Sequence, residues 1–237
     1  MVRLNKFLAF SGVASRRKCD TLIADGQVKV NGAVENRLGV KIDARTDRVE
    51  VNGRELNRHV RFEYVLLNKP KGVVTTASDE KGRKTVLDLI DSSTRLFPVG
   101  RLDRDSNGLL LLTNDGELTY RLTHPKFEVG KVYEVFLEPA LHPDDKSKIE
   151  SGVELEEGKT GRCRIVFPNM KNKSLLHIRL RQGWKRQVRR MFAAYGYDVI
   201  LLKRIAMGPL QLQGLKTGEW RKLTRKEILN LKTRVEL

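Results

Sequence analysis

Residues 100–118 read GRLDRDSNGLLLLTNDGEL and join a polar loop to a strongly apolar run. Four consecutive leucines at 109–112 predict a β-strand that is buried on both faces. A rigid strand that presents a charged loop at its end is a common support for a reactive side chain, so Asp103 is the first candidate for chemistry. The residue types alone favour a simpler interpretation, in which residues 105–108 merely form a turn.

Positive charge is the strongest global feature, with 46 Lys and Arg against 29 Asp and Glu and a net charge of +17. Such an excess predicts a polyanionic partner. Because the basic residues are spread over both halves of the chain, we expect nucleic acid and not a membrane. The N-terminus lacks the apolar core of a secretory signal, and the two isolated cysteines predict neither a disulfide framework nor a metal site. We therefore expect a cytoplasmic protein without a bound metal.

Residues 1–60 are predicted to form a small separate domain. Helical spacing begins at Leu4, and Ser15 is placed to cap a second helix that ends near Gly26. Two short alternating strands then end in the hairpin dipeptides at 31–32 and 52–53, both Asn-Gly.

The second helix of this domain begins with three cations, Arg16, Arg17 and Lys18. Cations at a helix N-terminus oppose the helix dipole, whereas the free backbone N–H groups there attract anions. The pattern indicates a phosphate-binding surface, and the alternative is a solvated run of charge. The stretch RLNKFLAFSGVASRRKCDTLIADGQVKVNG also resembles the RNA-binding domain first known from small-subunit ribosomal protein S-four. That resemblance implies an RNA-binding surface on the two helices.

Residues 61–237 are predicted to form a second, larger domain, with the boundary in the polar stretch 57–61. Strands are predicted at 64–67, 73–76, 131–137, 175–180 and 199–202, and helices at 85–90, 114–122, 143–151 and from Thr224 onward. The strands follow one another closely, which favours a mixed, largely antiparallel sheet flanked by helices. The predicted fold class is α+β, a small α/β RNA-binding domain followed by this larger domain.

Two side chains of the larger domain have ambiguous patterns. Tyr133 shares a strand face with Val135 and Leu137, which is equally compatible with packing and with a functional aromatic group. Arg189 lies at the edge of the apolar face of a basic helix, so it is either a surface charge or a cation directed inward.

The larger domain resembles the pseudouridine synthases that act on bacterial ribosomal RNA, of the small-subunit type. The segments that carry the resemblance are GRLDRDSNGLLLLTNDGEL, NKPKGVVTT at 68–76, KVYEV at 131–135 and QGWKRQVRRMF at 182–192. The resemblance implies a cofactor-free isomerisation in which the glycosidic bond of uridine breaks, the uracil rotates, and carbon 5 is joined to the ribose. It implies that Asp103 is the catalytic aspartate, Tyr133 stacks on the target base, and Arg189 pairs with the aspartate.

The expected partner is ribosomal RNA, either free or in a partly assembled subunit, and a weak similarity favours large-subunit RNA. We expect a monomer. The residues expected to contact RNA are Arg16, Arg17, Lys18, Lys69, Lys71, Arg101, Arg104, Arg186 and Arg190.

Two other functions remain open from the residues alone. A metal-dependent nuclease could use Asp103, Asp105 and Asp115 as Mg²⁺ ligands, although it would not explain Tyr133 or Arg189. A ribosome assembly factor without catalytic activity would need only the basic charge and the N-terminal domain.

Overall fold

The computed structural model describes residues 1–56 and 61–237. Their contacts form two compact units. The N-terminal unit comprises residues 1–63 with the short segments 93–95 and 114–116, and the larger unit comprises the rest. The predicted boundary at 57–61 falls mainly on residues 57–60, which lie outside the described residues.

The described part of the N-terminal unit combines two helices with short strands. Its elements are β1 (Val2–Arg3), α1 (Leu4–Phe10), α2 (Arg16–Ala24), β2 (Val28–Val30), β3 (Ala33–Val34), β4 (Lys41–Ile42), β5 (Val49–Val51) and β6 (Arg54–Glu55). Strands β3, β2, β5 and β6 form a sheet in that order, and β1 pairs with β4. The two helices and the sheet share one apolar core, which includes Leu8, Cys19 and Val28.

The predicted helix ends and hairpins of this unit are confirmed. The Ser15 side chain accepts a hydrogen bond from the Lys18 backbone N–H at 3.2 Å and so caps α2. Both Asn-Gly dipeptides have positive φ at each residue, 51° and 85° at 31–32 and 51° and 75° at 52–53. Such angles are what a tight hairpin with primed turn geometry requires, and Asn-Gly adopts them most readily.

The larger unit is built around one sheet of nine strands in the described chain. The strands from Tyr64 onward are β7 (Tyr64–Lys69), β8 (Phe97–Pro98), β9 (Asn107–Thr113), β10 (Lys131–Glu138), β11 (Glu154–Leu155), β12 (Gly158–Lys159), β13 (Arg164–Val166), β14 (Leu175–Leu180), β15 (Asp198–Met207), β16 (Leu210–Gln211) and β17 (Trp220–Lys222). The helices are α3 (Gly116–Thr123), α4 (Pro143–Glu150), α5 (Gln187–Ala193) and α6 (Arg225–Arg234).

The sheet order is β13-β14-β10-β15-β9-β7-β17, with β16 on β15 and β8 on β9. Neighbouring strands are antiparallel except β15 and β9, which run parallel. The predicted α+β class and mixed, largely antiparallel sheet are therefore confirmed. Thr224 and Glu227 form the predicted capping box at the start of α6.

Strand β9 lies inside the sheet, and residues 109–112 are all 0% exposed, as the leucine run predicts. Gly108 begins this buried stretch at φ 106°. A Cβ atom at this position would lie 2.3 Å from the backbone oxygen of Arg204 on β15. Only glycine therefore allows the two parallel strands to meet here, and this contact determines where the loop before β9 leaves the sheet.

Two predicted elements were wrong. Residues 73–76 are not a strand, because their pairing is limited to one bridge between Val74 and Thr85. The helix predicted at 85–90 is reduced to the 3₁₀ turn Leu87–Leu89. In both segments the apolar side chains pack on the sheet from a loop, so burial and not a regular element explains their pattern. None of the helices in the described residues is long and apolar enough to cross a bilayer.

Candidate active site

The loop from Gly100 to Ser106 leads into β9 and carries the charged residues identified from the sequence. It turns back on itself through a hydrogen bond from the Ser106 N–H to the carbonyl oxygen of Asp103, at 3.1 Å. Such a turn exposes side chains at its tip while its backbone stays fixed. We call residues 102–106 the aspartate loop.

The buried side chain of Lys69 supports the aspartate loop. Its ammonium donates hydrogen bonds to the carbonyl oxygens of Pro70, Asp103 and Ser106, at 3.0, 3.1 and 2.8 Å. The side chain is 0% exposed. Burial lowers the pKa of Lys69 to about 8, although the nearby carboxylates of Asp103 and Asp105 partly offset this effect. The prediction that Lys69 contacts RNA was wrong, because all three of its donor directions are used inside the protein.

The segment that follows Lys69 secures the same loop through two further contacts. The hydroxyl of Thr75 donates to the carbonyl oxygen of Leu102 at 2.7 Å and accepts from the Leu102 N–H at 3.3 Å. The Gly72 N–H donates to the carbonyl oxygen of Arg104 at 2.8 Å. Residues 69–75 therefore hold the aspartate loop at both ends.

The carboxylate of Asp103 is half-buried and makes no hydrogen bond or ion pair with any other described residue. Its backbone carbonyl, in contrast, is bound by both Lys69 and Ser106. A carboxylate with a fixed backbone and unused oxygen atoms is available to act as a nucleophile or a base.

Asp105 is the carboxylate that binds the arginines of α5. The Arg186 Nη1 atom lies 3.1 Å from both carboxylate oxygens of Asp105, and the Arg189 Nε atom lies 3.2 Å from one of them. Partial burial raises the pKa of Asp105, but the hydrogen bond from Arg186 and the charges of both guanidinium groups outweigh it and lower the pKa overall. The predicted pairing of Arg189 with Asp103 was therefore wrong.

The position of Arg189 explains this choice of partner. Its guanidinium also donates to the backbone carbonyl of Val199 on β15 and to that of Asp105. The group is only 15% exposed and is held between β15 and the exit of the aspartate loop. The prediction that Arg189 is directed inward agrees with this placement.

Tyr133 lies in register with the aspartate loop across the sheet. On consecutive strands Tyr133 of β10 pairs with Arg204 of β15, Arg204 with Gly108 of β9, and Gly108 with Lys69 of β7. Tyr133 packs against two apolar clusters of the larger unit and remains partly exposed. This row of paired residues thus places the tyrosine and the end of the aspartate loop at the same position along the strand direction.

Two cations near this row, the buried Arg204 and the half-buried Lys131, were not identified from the sequence. Arg204 is 1% exposed, and its Nε atom donates to the carbonyl oxygen of Leu109 at 2.7 Å. Burial, together with the charge of Arg204, lowers the pKa of Lys131 to about 8. An arginine within the largely apolar run 199–207 was the signal that could have identified the buried cation. Charged residues are almost never fully buried without a specific partner, so such an arginine indicates one.

The remaining predicted RNA contacts differ in availability. Lys71, Arg101 and Arg104 are exposed around the aspartate loop, although Arg104 also donates to the carbonyl oxygen of Gly72. Arg190 is bound through both terminal nitrogens to Glu157, at 2.7 and 2.8 Å, and Arg186 is bound to Asp105, so their predicted RNA contacts stay predictions. In the N-terminal unit, Arg16, Arg17 and Lys18 are exposed in the first turn of α2.

Within residues 1–56 and 61–237, no three His, Cys, Asp or Glu side chains come together as metal ligands. Asp105, one of the three carboxylates of the nuclease hypothesis, binds two arginines instead.

Comparison with known proteins identifies the fold and the family. A family model described as RNA pseudouridylate synthase matches residues 63–194, and an S4 domain model matches residues 2–49. The chain belongs to the RNA pseudouridylate synthase family. The ribosomal large subunit pseudouridine synthase B of Bacillus subtilis (strain 168) is 45% identical over 236 residues, which cover 98% of this chain and 96% of that protein.

Two further matches extend over the same length. An uncharacterized RNA pseudouridine synthase of Aquifex aeolicus (strain VF5) is 45% identical over 97% of this chain and 93% of its own. A crystal structure of a pseudouridylate synthase is 31% identical, covers 98% of this chain and 100% of its own, and superposes with a TM-score of 0.71. The two units of this synthase-family chain are therefore shared with a protein of known structure.

Substitution of Lys69 by methionine tests whether this lysine supports the aspartate loop or contacts RNA. Lys69→Met removes the donor to the carbonyl groups of Pro70 and Ser106 and one of the two donors to that of Asp103. Hydrogen bonds to charged groups are each worth roughly 1.5–3 kcal/mol. We expect the free energy of unfolding to fall by at least about 2 kcal/mol, measured by urea titration, together with a loss of turnover.

Lys71→Met is the matched control, because Lys71 is exposed two residues away. We expect it to weaken RNA binding without a change in the urea midpoint. Equal unfolding midpoints for the Lys69→Met and wild-type proteins would contradict the role assigned to Lys69.

Proposed function

We propose that this protein converts a specific uridine of ribosomal RNA to pseudouridine in the cytoplasm, with Asp103 as the catalytic carboxylate. The unpaired, half-buried carboxylate of Asp103 on a fixed loop is the observation that carries the proposal. In the reaction the N1–C1′ bond of the nucleotide breaks, the uracil turns, and a C5–C1′ bond forms. The proton of C5 is released and N1 gains one, so the reaction needs no oxidant or cofactor.

Three groups around Asp103 support this chemistry. The Lys69 ammonium fixes the loop and provides positive charge near the carboxylate. We assign the ring of Tyr133 to stacking on the base while it turns, which is worth roughly 1–3 kcal/mol per base. Arg189 acts as a positioning residue, since it contacts the loop through Asp105 and not through Asp103.

The target uridine must leave its stack to reach a half-buried carboxylate, which costs a few kcal/mol. Contacts between the basic protein and RNA phosphates offset this cost. We assign residues 1–60 to RNA binding and residues 61–237 to catalysis. Exposed cations at the start of α2 support the first assignment, and the site around Asp103 supports the second.

The name of the Bacillus subtilis relative favours large-subunit RNA as the substrate. The competing function is that of an assembly factor that binds ribosomal RNA without modifying it, and in either case we propose that the protein is a monomer. Such a factor has no use for an unpaired carboxylate on a loop whose backbone is fixed by a buried ammonium.

The decisive experiment measures tritium release from ribosomal RNA labelled at uridine carbon 5, prepared from cells that lack this protein. With a metal chelator present, wild type should release tritium and Asp103→Asn should be at least about 1,000-fold slower, because loss of a nucleophile removes most of the rate enhancement. Asp105→Asn is the matched control, because it removes a carboxylate two positions away in the same loop. It should retain measurable turnover.

Turnover by Asp103→Asn at the wild-type rate would contradict the assignment of the nucleophile. Tight RNA binding without tritium release, on free large- and small-subunit RNA and on partly assembled subunits, would favour the assembly factor. Mapping of the modified uridine identifies the subunit.

Arg189→Ala tests the positioning role against a simple phosphate contact. Loss of the bonds to Asp105 and Val199 should displace the aspartate loop and lower kcat by up to about 100-fold with little change in KM. Arg190→Ala, which removes the same charge from the next residue, should change neither. An equal loss of RNA affinity and turnover in Arg189→Ala would make Arg189 a phosphate contact.

Substitution of both arginines at the start of α2 tests the RNA-binding role of the N-terminal unit. Arg16→Ala/Arg17→Ala should weaken binding of ribosomal RNA. The slope of log K against log salt should be reduced by about 1 for each phosphate that the variant no longer binds. Turnover at saturating RNA should stay at the wild-type value. The corresponding pair on α6, Arg225→Ala/Lys226→Ala, is the control, and an equal effect of both pairs would show only a general effect of charge.

A further inference from the structure

The larger unit contains a second strongly basic feature, separate from the residues assigned above. It is an open groove of about 890 Å³. Its lining includes five cations, Lys159, Arg162, Arg164, Arg179 and Arg181, and one carboxylate among the described residues, that of Glu128. All five cations are exposed. We call this feature the arginine groove.

Most cations of the arginine groove have no acidic partner among the described residues. Glu128 binds Arg181 at 2.8 Å, so the one acidic side chain of the groove is already occupied. The side chains of Lys159, Arg162, Arg164 and Arg179 make no hydrogen bond or ion pair with the rest of the described chain. Four positive charges are therefore exposed without an ion-pair partner among the described residues.

Two of these arginines lie directly opposite each other. Arg164 of β13 is paired with Arg179 of β14 in the antiparallel register. Like charges at directly opposed positions of adjacent strands destabilise a sheet. In addition, Gly130 leaves room beside Arg179, since a Cβ atom there would lie 3.2 Å from the Arg179 Nε atom. An anion bound between the two arginines would offset the repulsion between them, and Gly130 leaves space for the Arg179 side chain.

The arginine groove lies beside the end of β14, the strand that precedes α5. Gln182 lines the groove and accepts hydrogen bonds from the Gly161 N–H at 3.0 Å and from the Gln187 side chain at 3.4 Å. Gln187 is the first residue of α5 and follows Arg186, which binds Asp105. Arg179 pairs with Val132, next to Tyr133. The groove and the candidate active site are therefore connected through short segments of chain.

We propose that the arginine groove binds the sugar–phosphate backbone of the RNA substrate outside the target nucleotide. Several unpaired cations along one open groove suit a chain of phosphates better than one small anion. The inference rests on the proposed function for the identity of the polyanion. It adds a contact that holds the RNA while the target uridine is extruded.

The test uses Arg164→Gln/Arg179→Gln in the full-length protein and bulk ribosomal RNA from cells that lack the protein. Filter-binding titrations should give an affinity roughly tenfold weaker than wild type at physiological salt, with the slope of log K against log salt reduced by about 1 for each phosphate that is no longer bound. The melting temperature should be unchanged or higher, because a like-charge pair has been removed. Turnover at saturating RNA should match wild type.

The control is Arg225→Gln/Lys226→Gln, which removes two exposed charges from the first turn of α6 in the same unit. Wild-type affinity and salt slope in Arg164→Gln/Arg179→Gln, or the same loss in the control, would overturn the inference. Competition by inorganic phosphate alone at the groove would also overturn it, in favour of a small-anion site. Absence of tritium release from wild type would refute the proposed function, whereas the binding comparison would still test the groove.

Discussion

A buried ammonium group, that of Lys69, provides the contact on which the rest of the candidate site depends. It joins the end of β7 to the aspartate loop through three carbonyl oxygens, of which only that of Asp103 accepts a second hydrogen bond among the described residues, from the Ser106 N–H. Burial of such a charge is costly, and only a complete set of hydrogen-bond partners makes it tolerable. The loop conformation and the protonated lysine therefore require each other, and Asp103 is presented by a backbone that has little freedom to move.

The same row of the sheet relates the loop to the other parts of the site. Pairing runs from Lys69 through Gly108 and Arg204 to Tyr133, across four adjacent strands that are about 4.8 Å apart. The close parallel contact at Gly108 has no room for a side chain, and it places the strand that follows the loop beside β15. Packing of backbones thus sets the number of strands between the aspartate loop and the aromatic ring.

Two carboxylates of one loop have different roles in this arrangement. Asp105 is bound by Arg186 and Arg189 and links α5 to the loop, whereas the carboxylate of Asp103 has no partner among the described residues. An arginine pair that neutralises one carboxylate leaves the neighbouring one as the group with unused acceptor atoms. The basic excess elsewhere lies on other elements, on α2 and in the arginine groove.

The sequence by itself determined the α+β class, the Asn-Gly hairpins, the helix caps at Ser15 and Thr224, and the doubly buried strand at 109–112. Each of these depends on residues within about four positions of one another, so local propensity and periodicity suffice. Tertiary structure decided that Lys69 is an internal donor, that Arg189 contacts Asp105, that Arg190 is bound to Glu157, and that Arg204 is buried. Those outcomes depend on strand register and on which distant backbone groups lack a partner. A charged residue has the same local pattern whether it ends at solvent, at RNA or at a buried carbonyl, and only the folded chain distinguishes them.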